Sequence, residues 1–94
     1  MYILVNHAIK SPAEFWGSAQ KNLPNLPEAG VRRVINVFPN DNMDVCTCVW
    51  EAESIETLDS YLRDKIGNAS NDSFYQINEA NAMGLMKCEV KCET

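Results

Sequence analysis

The run CTCVWEAES, from Cys46 to Ser54, constrains this chain more than any other stretch. Read as a strand, it places Cys46, Cys48, Trp50 and Ala52 on one face and Val45, Thr47 and Val49 on the other. Both faces are apolar, and a strand of that kind needs cover on both sides. It then runs into Ser54, a helix-capping residue. A chain of 94 residues with two helices covers one face of a sheet only. The other face calls for a partner, most economically a second copy of the chain, so a homodimer is expected.

The length fits one domain spanning 1–94. Hydrophobic residues make up 46% and no low-complexity tract occurs, which indicates a globular chain. The net charge is −5, and only Arg32 and Arg33 among the basic residues are adjacent. Nucleic acid is excluded as an expected partner, because phosphate binding needs a clustered basic face. An anionic membrane surface is excluded on the same ground. No apolar run approaches the roughly 20 residues of a membrane span. The start MYILVNHAIK has neither the basic region nor the cleavage site of a signal peptide, so a cytoplasmic location is expected. Two N-x-S sequons, at Asn68 and Asn71, then reflect loop composition.

Cysteines stand at 46, 48, 88 and 92. Their spacings are C-x-C and C-x3-C, and His7 is the one histidine, whereas zinc sites favour C-x2-C with histidine partners. Reduced thiols acting as small hydrophobes are the expectation. A disulfide joining the two pairs is the alternative. No metal and no cofactor is assigned.

Tyr2 to Ile9 reads as an apolar strand near the sheet centre. Ser11-Pro12-Ala13-Glu14 is a helix start with a capping box and Pro at the first helical position. Phe15, Trp16, Ala19 and Leu23 form the apolar stripe of that helix, and Pro24 and Pro27 end it. Val31 to Phe38 is a second strand, with Val31, Arg33, Ile35 and Val37 on one face. Pro39 to Asn42 makes a turn into the third strand, Val45 to Ala52. Ile55, Leu58, Leu62 and Ile66 then mark a second helix, stopped by Gly67. Asn68 to Ser73 reads as a polar loop and Phe74 to Asn78 as a short strand. Glu79 to Leu85 is a turn or a single helical turn. Met86 to Cys92 alternates apolar and charged residues and reads as an additional terminal strand.

The resulting order β-α-β-β-α-β is that of the α+β ferredoxin-like fold with an antiparallel sheet. With its two-sided strand, the chain resembles the dimeric α/β-barrel branch of that fold, the antibiotic-biosynthesis-monooxygenase-like proteins. VWEAESIETLDSYL is similar to the strand-then-helix signature of that group, with Trp50 and Tyr61 in the two aromatic places. Asn6 stands on the first strand, where haem-degrading and quinone-forming members often carry a functional Asn. The resemblance covers residues 2 to about 78. The haem-degrading members also use a helical Trp and a His. Here Tyr61 replaces that Trp and no His follows, so haem degradation is not implied. The tail YQINEANAMGL is similar to small proteins of the same barrel type.

Candidate chemistry is sparse. His7 titrates near neutral pH when unperturbed and shares a face with Ile3, Val5 and Ile9. No carboxylate can be assigned to it from the sequence. Asn6 lies on the opposite face, so the two line one pocket only if the strand bulges there. His7 and Asn6 are the candidate catalytic residues; Trp16, Trp50, Tyr61 and Tyr75 are the candidate ligand-binding residues. The expected function is binding of a small apolar or aromatic molecule, with a cofactor-independent monooxygenase or isomerase as its enzymatic form. The alternative is a non-catalytic small-ligand or metal-binding protein.

Overall fold

A computed structural model describes residues 1–86. Its elements are β1 (Tyr2–Ile9), α1 (Pro12–Asn22), a 3-10 turn (Leu23–Asn25), β2 (Val31–Pro39), β3 (Val45–Ala52), α2 (Ile55–Ile66) and β4 (Ser70–Gln76). The four strands form one sheet in the order β2-β3-β1-β4, with every neighbouring pair antiparallel. This is the ferredoxin-like α+β architecture. The expected strand 86–92 lies outside the described residues beyond its first residue.

Register assigns the faces. Ile3, Val5 and His7 of β1 stand opposite Trp50, Cys48 and Cys46 of β3, and all of these side chains are buried beneath the helices. Phe15 of α1 and Leu58, Tyr61 and Leu62 of α2 close that core. The other face carries Leu4, Asn6 and Ala8 beside Val49, Thr47 and Val45. No helix among the described residues lies over it. Residues 77–85 run across part of it, facing Leu4, Asn36, Phe38, Val49 and Tyr75, and Arg33 Nη2 donates to the Met86 carbonyl at 3.2 Å.

Three local expectations are corrected. Edge strand β2 has two register shifts, between Val31 and Arg33 and between Val34 and Asn36. Each bulge inserts a residue and resets the alternation. Val31, Val34 and Val37 therefore face the core with Ala52, Trp50 and Cys48, while Arg33, Asn36 and Phe38 face the open side. Strand β4 begins at Ser70, so Ser70 to Ser73 is paired strand and not loop. Ser11 makes no side-chain cap on α1; instead the Lys10 and Ser11 amides donate to the Ala69 carbonyl at 2.7 and 3.0 Å. On α2 the cap forms as expected: Ser54 Oγ accepts the Thr57 amide at 3.0 Å.

Candidate functional site

His7 is 1% exposed, in the middle of the helix-covered face. On its β4 side the register brings Asp72 directly opposite. His7 Nδ1 lies 2.7 Å from Asp72 Oδ1, and Ser70 Oγ donates to the same oxygen at 2.7 Å. An ionised carboxylate only accepts, so Nδ1 carries the hydrogen that it shares with Asp72. Burial works to raise the Asp72 pKa. The hydrogen bonds from His7 and Ser70 and the attraction of the imidazole outweigh it and hold the carboxyl below its usual range. Phe15 meets the imidazole ring edge-on at 5.0 Å between centroids.

His7 lines a cavity between the sheet and the helices. This cavity measures about 40 Å³, and its lining includes His7, Phe15, Trp16, Cys48, Trp50 and Tyr61. Three buried side-chain polar atoms among the described residues have no hydrogen-bond partner: His7 Nε2, Trp50 Nε1 and Tyr61 Oη. All three belong to residues lining this one cavity. Buried polar atoms are normally satisfied, so three without partners among the residues of one cavity stand out. Trp50 Nε1 only donates. Burial first, and the nearby Glu28 charge second, raise the Tyr61 pKa against the opposing Lys65, so its phenol keeps its proton and also donates. The Trp50 and Tyr61 rings pack edge-on at 6.1 Å. The cavity thus brings an imidazole and two donor side chains into an apolar lining.

Cys46 and Cys48 also sit beneath the helices, with their sulfurs 3.5 Å apart. Burial raises both thiol pKa values, so neither is a ready thiolate. No group of three or more His, Cys, Asp or Glu side chains among the described residues gathers to hold a metal.

Trp16 forms the outer wall. Its Nε1 donates to the Met43 carbonyl at 3.2 Å, tying α1 to the β2–β3 turn. Beyond it lies a groove of about 370 Å³ lined by Trp16, Ala19, Gln20, Leu23, Pro24 and Met43. Trp16, Ala19 and Leu23 line both spaces and so separate them.

The structure divides the candidate residues between the two faces. His7, Trp16, Trp50 and Tyr61 line the cavity beneath the helices. Asn6 and Tyr75 lie on the open face, where Asn6 Oδ1 accepts from Thr47 Oγ1 at 3.0 Å and Tyr75 is 57% exposed. Asp72 and Ser70 were not foreseen as site residues. A period of two was present in Ser70, Asp72 and Phe74, but its polar start concealed the strand.

The sheet order and this buried site define an α+β ferredoxin-like protein with a histidine-bearing cavity between sheet and helices. No family model matches the chain, and no curated protein matches it by sequence. Among solved structures it is similar to the "Putative antibiotic biosynthesis monooxygenase from Nitrosomonas europaea". The TM-score is 0.51 at 14% identity, over 83% of this chain and 99% of that one. At that identity the likeness is one of fold. No helix among the described residues is long and apolar enough to cross a membrane.

Proposed function

We propose that this chain is a cytoplasmic homodimeric α/β-barrel protein that binds a small apolar or aromatic molecule beneath its helices and acts on it without a cofactor. The observation that carries this reading is that three unpartnered buried polar atoms all belong to residues lining one apolar cavity. Nε2 of His7 is the base. It removes a proton from an acidic C–H or O–H of the ligand while Asp72 holds the ring through Nδ1. Trp50 Nε1 and Tyr61 Oη donate to the oxygen on which charge develops. Return of the proton to a different carbon completes an isomerisation. Where dioxygen meets the carbanion, a CH₂ becomes C=O, one oxygen atom enters the product and the other leaves as water. The name of the structural neighbour favours the oxygenase form.

A ring-sized ligand needs more than 40 Å³, and displacement of Trp16 would join the cavity to the outer groove. Small-molecule sites commonly occupy about 300–1,000 Å³. The tight cavity also favours a second reading, binding without turnover. One experiment separates the two. 2-Naphthol is titrated while the His7 ring and Trp50 indole NMR signals are followed, and deuterium exchange at the α-carbon of 2-indanone is measured with and without His7→Gln. Shifted signals with exchange that depends on His7 support the enzyme. Shifted signals without exchange support the binding protein, and unperturbed His7 and Trp50 signals overturn both.

A further inference from the structure

His7 lines the cavity beneath the helices and is itself 1% exposed, yet a base that takes a proton must exchange it with something. The polar contact of its ring runs the other way. Asp72 belongs at once to the His7 hydrogen bond and to a separate polar cleft of about 290 Å³, lined by Asp59, Arg63, Asn68, Ser70, Asn71 and Asp72. The Asp72 side chain is 14% exposed, and both of its hydrogen bonds, from His7 and Ser70, converge on Oδ1. Arg63, the cationic side chain at this cleft, is engaged with Asp59 at 3.1 Å.

We propose that Asp72 is the outlet through which His7 exchanges protons with solvent, so that the cavity has a proton door at the polar cleft. This rests on the reading of His7 as the base of the site. When Nε2 gains a proton from the ligand, an N–H bond forms there and the Nδ1–H bond breaks. Asp72 takes that proton as a transient O–H and passes it to water in the cleft. No electrons change hands, and the ring is left neutral in its other tautomer. The same steps run backward when the product is protonated and restore Nδ1–H. Asp72 acts through His7 and is a positioning residue.

The test needs no ligand, because His7 is the sole histidine and its ring signals are unambiguous. In the ¹⁵N-labelled full chain, exchange of the His7 ring N–H with water is measured by saturation transfer, and the ¹⁵N shifts report the tautomer. Asp72→Asn keeps an acceptor oxygen for Nδ1–H and removes the proton-accepting carboxylate. Ring exchange is expected to slow roughly a hundredfold, the low end of what a lost general acid–base group costs. Unchanged or faster exchange overturns the proposal. Should the variant not fold, wild-type ring exchange is compared with the buried backbone amide of Val5 on the same strand. A ring N–H no faster than that amide overturns the outlet, because exchange would then await opening of the sheet. Ligand-induced shifts at His7 combined with unchanged exchange in Asp72→Asn sink the outlet and leave the base intact. Outlet-dependent exchange with a ligand-blind His7 upholds the outlet and removes the base.

Discussion

Asp72 and His7 hold each other through one oxygen and one ring nitrogen, and the consequence is a defined acid sensitivity. The folded-state pKa of Asp72 is depressed. Its stabilisation is therefore fully present above the unfolded carboxyl value of about 4 and is lost as pH falls through the lower folded value. Asp72→Asn removes the charge-assisted part of the bond, about 1 kcal/mol at neutral pH. Urea midpoints should differ between wild type and variant at pH 6 and draw together as pH falls below the unfolded carboxyl value of about 4; a gap independent of pH refutes the assignment. The thiols make a second residue-scale case. Burial raises the Cys46 and Cys48 pKa values, so iodoacetamide at pH 8 should leave both unlabelled in the native protein, as read by peptide mass spectrometry. Rapid native labelling at either position contradicts their burial.

At the scale of elements, the period-3.6 stripe of α2 and its cap were legible because both signals are local. Ser54 accepts the Thr57 amide at the place its sequence position indicates. Ser54→Ala should lower stability by about 1 kcal/mol, seen as a shifted urea midpoint with an unchanged slope. The order of elements was legible for the same reason, since each strand and helix announces its own periodicity. What escaped was non-local. The bulges in β2 move Val34 to the core beside Trp50, and a period-two count along Val31 to Phe38 cannot register an inserted residue. The start of β4 escaped because Ser70 and Asp72 are polar for the sake of a buried histidine 65 positions away from Asp72. His7, Trp16, Trp50 and Tyr61 could be nominated singly by residue type. That they share one cavity, and that Asn6 and Tyr75 do not, depends on pairing across the sheet.

For the molecule as a whole, the two-sided character of β3 is divided unequally. The face of Cys46, Cys48, Trp50 and Ala52 is buried by the chain's own helices. Part of the opposite face lies under residues 77–85, a contribution of the tail that the two-helix argument had left out. The remainder leaves Phe38 62% exposed, with Val45 and Tyr75 also exposed on the same face. Exposed apolar surface gathered on one flat sheet face favours association over isolated side chains in water. A second copy offers the same patch, and a two-fold arrangement lets each sheet cover the other. A stable interface of this kind buries about 1,600 Å² in total. Because Phe38 is mostly exposed in the single chain, Phe38→Asp should cost the fold little and the association much. Sedimentation velocity at micromolar concentration should give a dimer for the wild type and a folded monomer for the variant, with circular dichroism unchanged. A wild type that sediments as a monomer at that concentration refutes the proposed dimer.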